Sequence, residues 1–163
     1  VKDQDIAADD RTSLLPPAPP QMRQYLLTHL ADFGFSRMTL RECSYDPQNW
    51  QEMDKSWTEY LRIREIFLKL LGYSHADECL KAGLDKNDIK LLRGSIAPEN
   101  YDIHMKIPFD FGGTLSFDNL CLIQTHPRHD LIHRLIDLQI ENNYLRTHKK
   151  IWLPWFDGKI YHD

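Results

Sequence analysis

Tyr101-Asp102-Ile103-His104-Met105-Lys106-Ile107-Pro108, followed by Gly112-Gly113-Thr114, Phe117-Asp118-Asn119-Leu120 and His129-x-x-x-His133, is the stretch on which the reading of this chain turns. Its composition predicts a strand over 101–105, a loop that Gly112-Gly113 can reverse sharply, a second strand, and a helix from about Pro127 to about Leu145. Leu131, Ile132, Leu135, Ile136 and Leu138 recur along that helix at core-facing intervals. His129 and His133 are four apart, so their imidazoles project from one helix face a turn apart. Two such histidines alone read as readily as a surface pair. His104 on a strand folded back over them makes a three-imidazole metal site the expectation. Asn119 is expected to tie the loop through side-chain hydrogen bonds.

Working outward, 163 residues at 42% hydrophobic suffice for one cored domain with an appended helical part. No run approaches the roughly 18 apolar residues of a membrane span, and the first residues lack the apolar core of a signal peptide. The expectation is a soluble chain, and its start at Val1 suggests a fragment of something longer. Cys43, Cys79 and Cys121 are odd in number and widely spaced, which argues for free thiols rather than a disulfide framework or a thiolate metal site. Residues 1–60 carry six Lys/Arg against ten Asp/Glu, while residues 61–163 carry fourteen of each. Neither part is a strongly basic nucleic-acid binder. No phosphate-cradling Gly-x-x-x-x-Gly-Lys motif and no Gly-x-Ser-x-Gly elbow is present, so nucleotide-hydrolase and serine-hydrolase readings have no support.

Residues 1–20, acidic and ending in Pro16-Pro17-Ala18-Pro19-Pro20, read as a linker or tail. A helical connector is expected over 21–75: a short helix from Gln21 to about Ala31 with Gly34 as its stop, an ambiguous stretch over 36–46, then a turn at Asp46-Pro47. That turn opens a long helix through Met53, Trp57, Tyr60, Leu61, Ile63, Ile66, Phe67, Leu70 and Leu71, stopped by Gly72. A third helix follows Ser74-His75-Ala76-Asp77 and ends at Gly83, with His75 as a surface or capping residue. A fourth starts at Asp85 and reaches Leu92 before Gly94. Residues 76–163 would then form the functional domain, with 21–163 as one compact domain the alternative. Asp157-Gly158, set between aromatic and β-branched residues, predicts a tight C-terminal hairpin whose aromatics serve the core, a base-stacking platform being the minority reading. His148 and His162 read as ordinary tail residues.

Across residues 80–140 the motifs His104-Met105-Lys106-Ile107-Pro108, Gly112-Gly113-Thr114, Phe117-Asp118-Asn119-Leu120 and His129-x-x-x-His133 resemble the H-N-H nuclease motif, the ββα-metal finger. Within that superfamily the similarity is to colicin- and pyocin-type DNases and related secreted bacterial toxin nucleases. The resemblance implies an α+β fold, mainly helical, carrying the finger. It implies one divalent ion (Zn, Ni, Mg or Mn) on His104, His129 and His133, with Asn119 holding the loop. Asp102, two residues before His104 on the same strand face, either orients a metal-bound imidazole or is a solvated strand-end acid.

Where the family has a second histidine acting as general base, this chain has Met105, whose thioether takes no proton from water at neutral pH. Three accounts stay open. The water is activated by another group, His126 or the metal ion itself; a bulge moves His104 into the base role; or the site is weakened or dead. Lys106, Arg128 and Arg134 are candidate phosphate contacts or a solvated basic rim. The resemblance implies metal-dependent hydrolysis of DNA with low sequence selectivity, RNA being the other substrate. It further implies a toxin domain secreted or delivered into a target cell to act in its cytoplasm, and a cognate immunity protein as partner. The rival reading is a catalytically weakened or inactive metal-bearing module that binds nucleic acid or protein.

Overall fold

The computed structural model describes residues 21–44, 50–141 and 150–163. The linker expected over 1–20, the turn at Asp46-Pro47, the helix end near Leu145 and His148 lie outside these residues. The fold is α+β, helices around two small antiparallel sheets.

Helix α1 (Met22–Asp32) buries Met22, Leu26 and Leu30, four apart, and stops as expected at Gly34, whose φ of +81° suits a residue without a Cβ. There Gly34 N–H donates to the Ala31 carbonyl and Phe35 N–H to that of Leu30, the doubly bonded close of a helix. Strand β1 (Thr39–Ser44) follows, in the stretch that composition left ambiguous. Helix α2 (Trp50–Ser74) runs through Gly72 instead of stopping there. Glycine is required at that point for packing: a Cβ on Gly72 would lie 2.8 Å from both Arg93 N and Arg93 Cγ, so it marks where α2 and α4 press together. Helix α3 (Ala76–Lys81) is short. In α4 (Lys86–Arg93) the Asp85 and Asp88 side chains exchange bonds with each other's backbone N–H, a closed capping box.

Strands β2 (Tyr101–Met105) and β3 (Leu120–Gln124) pair antiparallel, His104 opposite Cys121 and Met105 opposite Leu120. A π-type turn over Thr125–His129 leads into α5 (Asp130–Glu141), and β4 (Lys150–Trp155) closes the order.

The expected C-terminal hairpin does not form. Strand β4 pairs antiparallel with β1 instead, Thr39 opposite Trp155 and Ser44 opposite Lys150. Asp157-Gly158 carries the chain onward, so that Lys159 O and Tyr161 N bond to Leu122 N and O and Ile160 lies parallel to β3. An Asp-Gly bend reports a change of direction but not the partner to which the chain turns. The tail aromatics do pack inward as expected, with Phe156 and Tyr161 both buried.

Strand β3 is the wall between two apolar cores. Cys121 and Ile123 face one core, with α1, α5 and β4; Leu120 and Leu122 face the other, with α2, α3 and α4. Both faces of one strand are therefore buried, which its continuous Leu-Cys-Leu-Ile run allows. Cys43, Cys79 and Cys121 are free thiols, as expected; burial pushes Cys79 up to about 11 and Cys121 up to about 12, so neither offers a thiolate near neutral pH.

Candidate metal centre

The loop between β2 and β3 is what sets the site. Gly112 sits at φ +80°, and the Cβ that any other residue would place at Gly113 would fall 1.7 Å from the Ile107 carbonyl oxygen, so two backbone segments meet with nothing between them. Asn119, buried beneath, fastens them. Its Oδ1 accepts from Ile107 N at 2.8 Å, and its Nδ2 donates to Ile107 O and Thr114 O, both at 2.9 Å. Three of the four hydrogen-bonding capacities of a buried amide are used, all on backbone groups.

This frame turns His104 at the end of β2 towards the start of α5. His104, His129 and His133 each bring one ring nitrogen into a set that lies within 4.8 Å throughout. His129 Nε2 faces His133 Nε2 at 2.8 Å, and the ring of His104 stands 5.1 Å from that of His129 and 5.8 Å from that of His133, centroid to centroid. His129 Nδ1 faces the Asp102 carboxylate across 3.5 Å. A proton held there on Nδ1 leaves the Nε2 lone pair pointing into the cluster, the tautomer a ligand needs.

The chemistry of the donors fits an ion. Burial, then the neighbouring His129 and His133, hold His104 well below the usual imidazole range, and burial followed by His129 lowers His133, although that residue keeps an exposed edge. Neutral imidazoles are the metal-binding form. His104 Nδ1 is buried with no hydrogen-bond partner, an orphaned polar atom of the kind a ligated group explains. Two nitrogens of one tetrahedral zinc would stand about 3.3 Å apart, from bonds of ~2.0–2.1 Å. The 2.8 Å pair thus needs to open by only a fraction of an ångström.

The other residues singled out in the sequence are distributed differently. Asp102 carries a carboxyl held down first by His129 and is engaged with that ring rather than with His104. Met105 is half-buried and packs against the second core while lining the cleft beside the histidines. His126, exposed, pairs through Nδ1 with Asp130, and its backbone is clasped by Asn100, which accepts from His126 N and donates to His126 O, both at 3.1 Å. Lys106 is buried with its ammonium over the Trp155 and Phe156 rings, 5.4 and 5.1 Å from their centroids, and borders a separate cleft with Asp118 and Lys159. Arg128 is engaged elsewhere, donating to Gly34 O, pairing with Asp163 and lying over Phe35. Arg134 is half-buried on α5. His75 pairs with Glu78, and His162 with Arg37. The structure thus brings His104, Asp102, His129, His133 and Met105 together, and turns Lys106 and Arg128 to other contacts.

Sequence reasoning missed the contribution of α2. Trp57, Tyr60, Leu61 and Arg64 line the cleft that holds His129 and His133. Their spacing at i, i+3, i+4 and i+7 is one helix face, and a charged residue ending an otherwise apolar stripe was the available signal.

No protein-family model matches the chain, and no solved structure does. It is similar to "Uncharacterized protein YhhZ" of Escherichia coli (strain K12), 36% identical over 102 residues, which cover 61% of this chain and 24% of that protein. The match thus spans about a quarter of that relative's length. Among the described residues no helix is long and apolar enough to cross a membrane.

Proposed function

We propose that this chain is a metal-dependent endonuclease of the H-N-H, ββα-metal type, hydrolysing DNA phosphodiester bonds with low sequence selectivity. The observation that carries the reading is the convergence of three imidazole nitrogens within 4.8 Å. They come from a strand and a helix start joined by a loop that Asn119 fastens. A divalent ion held there, Zn, Ni, Mg or Mn, would act as a Lewis acid on the scissile phosphate.

The residues divide the work. His104, His129 and His133 are the ligands. Asp102 keeps the His129 proton on Nδ1 and so directs Nε2 inward. Asn119 fixes the spacing between the His104 strand and the loop. Met105 accepts no proton, so the attacking water must pass its proton elsewhere. His126, the other expected acceptor, is exposed, engaged by Asp130 and not among the residues lining the cleft, so the reading relies on the acidity that a divalent ion would give its bound water. By analogy with the toxin nucleases, the chain would be the effector part of a larger delivered protein, acting in a recipient cytoplasm and neutralised in the producer by an immunity protein.

Metal content after purification, with plasmid nicking in added Mg, Mn, Ni or Zn, tests the proposal. The expected result is one bound ion per chain and metal-dependent nicking, both lost in His104→Ala and His133→Ala. Nicking absent under every metal while the ion still binds would sink the enzyme reading. It would leave the second one, a metal-stabilised module that binds nucleic acid or protein, which the thioether of Met105 favours. Met105→His restores an imidazole at that position; where a missing base limits the rate, nicking should rise about 100-fold, the lower end of what a positioned base contributes.

A further inference from the structure

His129 and His133 border a cleft of about 450 Å3, within the range of small-ligand sites. Another wall is the stripe of α2 described above, continued by Phe109 from the loop after β2. Trp57 meets Tyr60 and Phe109 with centroids 5.2 and 5.6 Å apart and planes at 88° and 81°. Both contacts are perpendicular, so they fix the orientation of the indole, and among the described residues no ring lies parallel on it. Trp57 remains 51% exposed and its neighbour Leu61 61% exposed. Two turns beyond Trp57 on the same face, Arg64 lines the cleft as well and acts through space on Asp102, the partner of His129. An oriented, half-open aromatic and a cation are thus presented on one helix face, two turns or about 10 Å apart, in a cleft that also holds His129 and His133.

A flat apolar face joined to an anion is what this arrangement complements, and a nucleotide has both. In a duplex each base is already stacked and its edge paired, so the wall is usable only by a base that has left the stack. We infer that the cleft receives an unpaired nucleotide of a single DNA strand, its base stacked on Trp57 and its phosphate held by Arg64. This inference rests on the phosphodiesterase reading of the same histidines. Asp102 and Asp110 also border the cleft; the first is balanced by His129 and Arg64, and the second lies on the loop next to Phe109. The single strand is therefore the preferred substrate, and duplex DNA is cut where it opens.

Binding can be measured apart from cleavage. Fluorescence anisotropy with labelled dT12 and with a 12-base-pair duplex, in EDTA at low salt, should show the single strand bound at least tenfold more tightly. Trp57→Ala should weaken dT12 binding tenfold or more, with Trp57→Phe recovering part of the loss. Arg64→Gln should lower the slope of log K against log salt by about 0.7, one phosphate contact on a single strand. Trp57 and Arg64 border a cleft and lie outside both cores, so circular dichroism of each variant should match the parent. A duplex bound as tightly as dT12, or dT12 binding unchanged in Trp57→Ala, overturns the inference. So does a second copy covering this wall, which would appear as a dimer in sedimentation that Trp57→Ala dissociates. Failure of the nuclease reading looks different: the single-strand preference persists while neither strand is cut under any metal.

Discussion

At the scale of single residues, His104 is where burial and protonation conflict most directly. His104 is 3% exposed and its Nδ1 has no partner, so a proton on it would be a buried charge that the nearby Asp102 only partly offsets. The consequence for stability has a definite sign. The unfolded chain takes up a proton near the ordinary imidazole value of 6.5, whereas the native state, whose pKa lies well below, does not. Below that pH the unfolded state holds more protons, so the stability contributed by a neutral His104 is fully present above about pH 6.5 and declines as pH falls towards the native value. Each such histidine gives a slope of up to about 1.4 kcal/mol per pH unit. His133, also lowered, adds in the same direction, while Asp102, lowered from 3.8, loses its contribution only at more acid pH. Urea denaturation of the metal-free protein from pH 8 to pH 5 should show this decline, and His104→Asn should remove one histidine's share of the slope. An unchanged slope in the variant would mean that another group carries the linkage. Bound metal should steepen the dependence, because protons compete for the ligands.

At the scale of elements, the β2 to β3 loop is the piece that cannot be lengthened or filled. Gly113→Ala would place a carbon 1.7 Å from the Ile107 carbonyl, and the loop would have to move off the three bonds of Asn119. A loss of about 3–4 kcal/mol is expected, near the upper end for one substitution. Gly94→Ala, where the nearest neighbour is 3.4 Å away and φ is negative, should cost less than about 1 kcal/mol. Urea midpoints at pH 8 compare the two, and equal losses would sink the close-approach account. This loop, the strands beside it and the histidine spacing on the helix were legible in the sequence, because glycine pairs, short apolar runs and 3.6-residue periodicity are local signals. Gly72 misled for the same reason. A glycine is a helix stop or a packing notch depending on what lies against it, and Arg93 is 21 positions away. Strand β1 gave little local signal, since its residues are exposed or half-buried at every position and its partner lies at the far end of the chain.

At the scale of the whole molecule, the β1–β4 pairing closes a chain whose site lies at the other sheet, and the two are joined by α5. One buried polar residue adds to the apolar packing of that junction. Gln139, fully buried, donates from Nε2 to Trp152 O at 2.9 Å and to Leu135 O at 3.1 Å, and accepts at Oε1 from Trp152 N at 2.9 Å. It therefore gives β4 a bonding partner on the helix side as well as on β1. Replacing it by leucine keeps the bulk but leaves both backbone groups of Trp152 unpaired on that side, each at a cost of about 1–3 kcal/mol. His133 precedes Gln139 by six residues, about 9 Å along the helix axis. His133 also meets His129 and His104, so the candidate metal centre is expected to hold its geometry without this junction. Gln139→Leu should accordingly lower stability by about 2–4 kcal/mol in urea denaturation at pH 8, while the zinc affinity of the folded protein, titrated by competition with a chelating dye, stays within about twofold. A tenfold fall in zinc affinity would show instead that the β1–β4 sheet holds α5 in register for the site. The sheet assembled from the two ends of the chain would then be part of the centre's support, and the functional unit would extend from Met22 to Tyr161 rather than over the histidine-bearing segment alone.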